Sequence, residues 1–451
     1  MFRYMFRHML KHMFRHMLER AAAGTKTCAT SMIRKSDSTM DNFTYCAPTR
    51  ILFGKGTIPA IAPHISAFGV QRLLLVFGGG SARQNGVYEA LTTALRDAGI
   101  VWDEFWGVKP NPSLEQVNAG IAKARAFGAQ GVLAVGGGSV IDCGKAIAAG
   151  VHLDDYWTFV ETRKPAENAL PVFAVLTLSG TSSEMNDKAV ITNEAEAKKW
   201  SIGGQCMAPK VTAIDPQVQA TLPWSLTASS GIDAMTHVME NYFRGRPGTD
   251  GTGRTDGTGE IGGTGFFREE TQLQINEALL RSIVLSLNVL QKDSASYDAR
   301  ANLAWAACWG LNGMSAAGLS SGDWTSHALE HALSGLFPHI PHGAGLAVLF
   351  PSWMEEVYPF APDIFARFAR NIWGIAFDPA NPAAVLEAAQ QGVAATRAAF
   401  SGWGAPDNLS HWGVREEHIP VMVQNAYSYR ALGRLVPLNE EQVTRIYKRV
   451  L

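Results

Sequence analysis

The chain predicts an α/β domain built on a mostly parallel sheet, followed by an all-α domain. Three observations point there. From Arg50 to about Pro216, apolar strand-like runs alternate with helix-like stretches, the pattern of a parallel sheet covered by helices. From about Leu222 onward long helical patterns take over, with few strand candidates. A length of 451 residues also exceeds one ordinary hydrophobic core. The predicted divisions are a basic extension (1–39), the α/β domain (40–221) and the helical domain (222–451).

The first twenty residues repeat MFRY, MFRH, MLKH, MFRH, MLER, two apolar residues and then polar, mostly basic ones. A four-residue period on a 3.6-residue helix drifts by roughly 40° per unit, so the apolar band spirals slowly. Through Thr39 there are eight Lys or Arg against two acids, Glu19 and Asp37. An acid-poor, basic, amphipathic start suits a transit peptide and hence the mitochondrion. The alternatives are an uncleaved tail, which leaves the protein cytoplasmic, and an upstream extension with Met40 as the start. None of these enters the fold.

Within the α/β domain the strand-like runs are RILFG, RLLLVF, VLAV, PVFAVLT, AVIT and VTAID. Two of them run into glycine-rich turns. RLLLVF is followed by Gly78, Gly79, Gly80 and Ser81; Val132–Val135 is followed by Gly136, Gly137, Gly138 and Ser139, then a helix-like segment containing Asp142 and Lys145. Glycines let backbone N–H groups approach an anion closely, and a helix start adds a positive dipole end. Two such turns predict pyrophosphate binding, although neither is the GxGxxG fingerprint nor a P-loop. A single turn of this kind often has only a geometric reason. The first turn has no acid to grip ribose hydroxyls, and Arg83 follows closely; that favours NADP(H) over NAD(H).

The helical domain holds the metal-ligating candidates. In GIDAMTHVMENYF, Asp233 and His237 are four apart, which stacks them on one helix face about one turn apart. SHALEHALSGLFPHIPHGAG repeats the spacing with His327 and His331, then adds His339 and His342. One carboxylate and three imidazoles suit Zn²⁺ or Fe²⁺, and affinity alone does not choose between them. Each histidine by itself reads as a packed core residue; the two i,i+4 pairs together make a site. Between the two segments, residues 244–267 hold nine glycines mixed with Thr and Asp, which predicts a flexible surface insertion.

Composition narrows the remaining classes. A net charge of −1 gives no global pull toward nucleic acid or anionic membrane. No uninterrupted apolar run approaches the roughly 18 residues of a membrane span; LLRSIVLSLNVL is broken by Arg281, Ser282, Ser286 and Asn288 and reads as a buried helix. Cys28, Cys46, Cys143, Cys206 and Cys308 are scattered without a CxxC pair, which suits a reducing compartment and argues against a cysteine-based zinc site.

These motifs together carry a resemblance. NFTYCAPTRILFGKG, NPSLEQV, AVGGGSVIDCGKAIA, LTLSGTSSEMNDKAVIT, AIDPQVQATLP, GIDAMTHVMENYF and DWTSHALEHALSG…PHGAGLAVLFP occur in an order that resembles the iron-containing (group III) alcohol dehydrogenases, over about Met40 to Leu451 with the insertion excepted. The likeness is to their butanol-dehydrogenase-like, NADPH-dependent aldehyde reductase branch. It implies a Rossmann-like first domain and a helical second domain, the two-domain plan of dehydroquinate synthase, and a homodimer. It implies Asp233, His237, His327 and His342 as metal ligands and His331 as a non-ligating proton relay. It further implies Gly137, Gly138 and Ser139 at the pyrophosphate, Gly80 and Ser81 near the adenosine ribose, and Gly79 and Asp142 among the cofactor-binding residues. Thr177, Ser183 and Asn186 border the cofactor, and Lys199 holds the nicotinamide ribose. Two departures stand out: the usual GTGSE reads GTSSE, with Ser182 in place of glycine, and the interval from His331 to His342 is one residue longer than the family pattern, so His339 competes with His342. PHG is the better anchor, which favours His342.

The expected reaction is hydride transfer between NADP(H) and a small aldehyde or primary alcohol, with one divalent ion polarising the substrate oxygen. With NADPH the direction is aldehyde to alcohol. Trp324 and Phe267 are candidates to shape the pocket. The competing readings are a metal-dependent polyol dehydrogenase, a dehydroquinate-synthase-like lyase, and a non-catalytic, metal-storing membrane-surface protein. The lyase needs a basic pocket, and the ligand helices are poor in Lys and Arg.

Overall fold

The sheet is assembled from the most apolar runs of the chain. The computed structural model describes residues 42–244, 270–319 and 321–451; the basic extension 1–39, the Gly/Thr-rich run 245–267 and with it Phe267 lie outside the described residues. Six strands, β1 (Arg50–Phe53), β2 (Arg72–Phe77), β3 (Val101–Phe105), β4 (Gly131–Gly136), β5 (Val172–Leu176) and β8 (Val211–Ile214), form one sheet in the order β1-β8-β5-β4-β2-β3. All of its pairings are parallel.

Strands β4 and β5 are buried at every position, which is why they read as continuous apolar runs instead of alternating ones. Their side chains still alternate between two cores. Leu74, Val76, Val132, Ala134, Val172 and Ala174 face the helices Leu114–Phe127 and Gly138–Gly150. Leu73, Leu75, Leu133, Val135, Phe173 and Val175 face Ile61, Ile65, Leu91 and Leu95. Ser113 caps the Leu114–Phe127 helix reciprocally with Gln116, and Gly128 ends it in the left-handed conformation, the start and stop chemistry such a helix calls for.

Two strands differ from the sequence expectation and one is relocated. The edge strand β3 (VWDEF) is nowhere buried and carries Asp103 and Glu104, so its polarity hid it. AVIT belongs to β6 (Lys188–Asn193), which pairs antiparallel with β7 (Lys198–Gly203) in a separate two-stranded sheet. The β7 sequence KKWSIG, with two lysines, carries little strand signal.

Strand order places the ligand crevice. The chain leaves β2 toward β3 on one side, and leaves β4 toward β5 on the other. Nucleotides bind at the carboxyl ends of strands where the order reverses in this way. Both glycine-rich turns sit there, Gly78–Ser81 after β2 and Gly137–Ser139 after β4.

After β8 the chain turns helical with Trp224–Tyr242, followed by Glu270–Leu290, Tyr297–Gly310, Thr325–Leu336, His342–Val357 and four further helices of nine residues or more ending with Glu440–Lys448. Leu280, Ile283, Leu287 and Leu290 of the Glu270–Leu290 helix enter the helical core, while Leu285 on its other face is exposed. Length and composition alone would let that helix cross a membrane; here one stripe of it is the wall of a protein core. Ala304 and Cys308 of Tyr297–Gly310 pack into a core of the sheet, so the helices and the sheet share side chains directly.

Candidate metal and nucleotide cleft

Three helices bring four side chains to one point. Trp224–Tyr242 supplies Asp233 and His237, Thr325–Leu336 supplies His327, and His342 is the first residue of His342–Val357. Around Asp233 Oδ1 stand His237 Nδ1 at 3.6 Å, His342 Nε2 at 3.6 Å and His327 Nε2 at 3.9 Å. Asp233, His237 and His327 are all buried, yet Asp233 Oδ1, His237 Nδ1 and His327 Nε2 have no hydrogen-bond partner. Buried polar atoms without partners are rare and costly. Donors about 2.0–2.2 Å from a tetrahedral divalent ion lie roughly 3.4 Å from one another, close to the separations found here. The residues present fit such an ion.

The imidazoles are held in the form a metal needs. Burial, despite the opposing pull of Asp233, pushes His237 down to about 3, so its ring is neutral. His327 Nδ1 lies 3.0 Å from Glu240 Oε1, and His342 Nδ1 contacts Glu330 Oε2. Assigning the Nδ1 proton to each carboxylate contact leaves both Nε2 lone pairs facing Asp233; outer carboxylates of this kind orient metal-binding histidines. Glu240 also accepts the backbone N–H groups of Trp324 and His327 (2.5 and 3.1 Å). It thereby caps a helix whose own cap position, Trp324 at φ 61°, lends no side chain. Burial would raise Glu330, but His342 and Lys199 outweigh it and hold the carboxyl at about 2.

Sequence reasoning missed both glutamates, although a signal existed. Glu240 follows His237 by three residues and Glu330 follows His327 by three, the same helix face. Each one serves the histidine on the next of the three ligand-bearing helices.

The remaining histidines separate cleanly. His331 is half-buried, its ring 5.4 Å from that of His342 and 6.4 Å from that of His327. Burial, with Lys199 and the neighbouring imidazoles, holds it well below its ordinary value, so it is uncharged at neutral pH. His339 is exposed and sits against Phe337, not with the cluster.

The histidines open onto a cleft of about 450 Å³ that is also lined by Gly138, Ser139, Asp142, Ser183 and Asn186. Gly137 starts the Gly138–Gly150 helix without a side-chain cap, which leaves its first N–H groups toward the cleft end of the sheet. A Cβ on Gly138 would lie 2.3 Å from Thr181 Oγ1 and 2.8 Å from Thr181 Cβ. Gly138→Ala is therefore expected to push the turn out of shape and weaken nucleotide binding at least ~10-fold, a loss of about 1.4 kcal/mol; equilibrium titration measures it.

Behind the turn lies a network. Asp142 accepts from Ser183 Oγ and from the Val190 N–H (2.5 and 3.0 Å). The fully buried Lys145 donates to Ser183 Oγ, Asn186 Oδ1 and the Lys188 carbonyl at 2.8–3.0 Å. Thr177 bonds through its N–H to the Gly136 carbonyl at 3.0 Å, beside the same turn. Ser182 stands at φ 54°, and its Oγ donates to the Ala307 carbonyl and accepts from Leu311 N–H. A left-handed φ explains why glycine suits this position, and the two hydrogen bonds offset the strain of serine.

Lys199 lines the cleft, but its ammonium donates to Glu330 (3.1 Å) and Ser334 (3.0 Å) and lies 3.2 Å from His342 Nδ1. Gly79, Gly80 and Ser81 sit at the mouth of the first turn, apart from the residues that line the cleft. Arg83 beside them stacks on Trp106 at 4.0 Å and pairs with Glu104 at 3.4 Å. Trp324 does line the cleft, 5.2 Å from the His327 ring. The cleft is more basic than the ligand helices suggested: Lys188, Lys198, Lys199 and Arg430 line it, from β6, β7 and the chain after Ile419–Tyr429.

Comparison with known proteins agrees with this geometry. Residues 48–216 match the family model for iron-containing alcohol dehydrogenase, and residues 269–451 match the model for the C-terminal part of the Fe-containing alcohol dehydrogenase family. NADH-dependent butanol dehydrogenase A of Clostridium acetobutylicum is 36% identical over 416 residues, 91% of this chain and 100% of that protein. NADPH-dependent aldehyde reductase YqhD of Escherichia coli is 30% identical over 415 residues, 91% of this chain and 99% of that one. The crystal structure of NADH-dependent butanol dehydrogenase A from Thermotoga maritima superposes with a TM-score of 0.82 at 38% identity, covering 91% of this chain and 99% of that chain.

Proposed function

The chain belongs to the iron-containing alcohol dehydrogenase family, and from that premise we propose that it passes hydride between NADP(H) and a small aldehyde or primary alcohol. The family fixes the class: an NAD(P)-dependent, metal-dependent alcohol dehydrogenase or aldehyde reductase using an iron-type divalent metal. The observation that carries the reading is the set of three buried donors without partners, two of which, His237 and His327, line a cleft that the Gly138–Ser139 turn also lines.

In the proposed mechanism Asp233, His237, His327 and His342 hold the metal. Gly137, Gly138 and Ser139 seat the pyrophosphate, Gly79, Gly80 and Ser81 the adenosine end and Lys199 the nicotinamide ribose; Thr177, Ser183 and Asn186 border the cofactor, with Asp142 holding Ser183 through its hydrogen bond. When bound, the metal supplies Lewis-acid polarisation of the substrate oxygen and the nicotinamide supplies the hydride. Glu240 and Glu330 keep the ligand imidazoles oriented. His331, neutral and lining the cleft, would relay a proton: one ring nitrogen takes a proton from solvent as the N–H of the other passes its own to the product oxygen, so the ring stays neutral. Trp324 excludes water from one wall. Imidazole and carboxylate donors accept Fe²⁺ or Zn²⁺.

The preference for NADP(H) rests on the acid-free turn at Gly78–Gly80 and on Arg83, whose guanidinium is fixed beside it by Trp106 and Glu104. Pairing with Glu104 tempers that charge, so a ratio is expected and not exclusion. With a short aldehyde and added Fe²⁺ or Zn²⁺, loss of absorbance should show kcat/KM for NADPH at least ~10-fold above NADH, about 1.4 kcal/mol of discrimination. Arg83→Ala should collapse that ratio toward one. No turnover with any carbonyl under either metal would favour the lyase reading.

We further propose a homodimer and, for residues 1–39, a mitochondrial address supported by their acid-poor, basic, amphipathic repeat. Gel filtration with light scattering tests the first. Fusion of residues 1–39 to a fluorescent protein tests the second, with diffuse cytosolic signal as the contrary result.

A further inference from the structure

Asn111, in the loop after β3, is one of the places where the α/β half reaches across to the metal-binding helices. It stands between two prolines in KPNPSLEQV, is 7% exposed, and adopts φ 52°. That left-handed conformation is uncommon outside glycine and is tolerated best by Asn and Asp. Strain held in place by its surroundings invites a functional explanation.

Its base is rigid. Pro112 accepts the Thr192 N–H at 2.9 Å, and Ser113 bridges to Thr192 of β6 while capping the next helix. Its tip is committed. The side-chain amide donates to the carbonyls of Pro338 (2.9 Å) and Ile340 (3.1 Å), 227 and 229 residues away.

Both acceptors belong to the segment that delivers His342. Ile340 is fully buried, Pro341 is the cap position of the following helix, and His342 is that helix's first residue, without a side-chain cap. Three residues before His342, His339 is exposed on the same segment. The two amide hydrogens thus pin the approach to His342 at two points, from the half of the molecule that carries the nucleotide turns.

We propose that Asn111 is a positioning residue for the metal site: a strut that fixes the 338–341 segment and thereby keeps His342 in the donor set. The inference rests on the reading of His342 as a ligand. Losing the strut lets His342 swing, so the ion leaves faster, whereas the nucleotide turns remain intact. The strut also ties the register of the metal site to the segment that follows β3, beside the tie that Lys199 makes to Glu330.

The test uses the full chain loaded with Zn²⁺, without nucleotide, and follows release of the ion to a chromophoric chelator. Asn111→Gly keeps the left-handed backbone and loses the amide. Asn111→Asp keeps size and backbone tolerance but sets carboxylate oxygens against the two carbonyls. Both variants should release Zn²⁺ at least ~10-fold faster, the scale of a lost outer-sphere support. Phe400→Leu, buried in the helical core and remote in sequence from the 338–342 segment, is the control for general loss of stability and should release the ion at the wild-type rate. Wild-type release from both Asn111 variants, or equal acceleration in the Phe400→Leu control, overturns the strut. A His342→Ala protein that holds Zn²⁺ as tightly as the wild type overturns the ligand reading and the strut with it.

Discussion

Replacing His342 with alanine is expected to empty the metal site and to lower aldehyde reduction at least ~10³-fold. The donor set has one carboxylate oxygen and three imidazole nitrogens, with His342 Nε2 3.6 Å from Asp233 Oδ1. Three remaining donors leave a weaker, open site, and a Lewis acid is worth several kcal/mol at a developing alkoxide; about 4 kcal/mol corresponds to that loss in rate. Metal content by mass spectrometry and turnover by NADPH absorbance should fall together. His327→Ala should behave alike. His339→Ala, removing an exposed ring outside the cluster, should leave both measurements unchanged. Full turnover in a metal-free His342→Ala protein would contradict the assignment.

The second large effect concerns the two glutamates. Glu240→Gln and Glu330→Gln should each weaken metal binding by about 10–100-fold, the usual effect of losing a carboxylate that orients a ligand histidine. Their effects on stability should differ. A glutamine at 240 can still accept one of the two backbone N–H groups at the start of Thr325–Leu336 through its single carbonyl oxygen and leaves no buried charge behind. At 330 the change leaves the buried Lys199 ammonium without its carboxylate, and an uncompensated buried charge costs about 3–5 kcal/mol. Metal titration should therefore rank the variants as similar, while thermal unfolding of the metal-free proteins should place Glu330→Gln well below Glu240→Gln. Equal melting temperatures would show that Lys199 finds another partner or loses its proton.

The sequence made the central strands legible because burial on both faces leaves them apolar throughout: RLLLVF and VFAVL could hardly sit elsewhere. It hid β3 because an edge strand tolerates Asp103 and Glu104, and β7 because its two lysines find distant or local partners, Lys199 buried against Glu330 and Ser334 and Lys198 paired with Glu196. The i,i+4 spacing brought Asp233 and His237 to one helix face, since helical geometry is local. The partners that orient the site are not local. Glu240 reaches His327 across 87 residues and Asn111 reaches Ile340 across 229, and no periodicity records such pairings. Ser182 was visible as a departure from the family pattern; its consequence, a left-handed residue held by Ala307 and Leu311, required the fold. The low Lys and Arg content of the ligand helices was read correctly, yet it did not describe the cleft, whose basic residues come from other elements.

The most direct measurement is anomalous diffraction at the metal absorption edge from crystals grown with nucleotide and Fe²⁺ or Zn²⁺. The account predicts a single strong peak in contact with Asp233 Oδ1, His237 Nδ1, His327 Nε2 and His342 Nε2. A peak elsewhere, or these four side chains turned to separate partners with no ion between them, would contradict it.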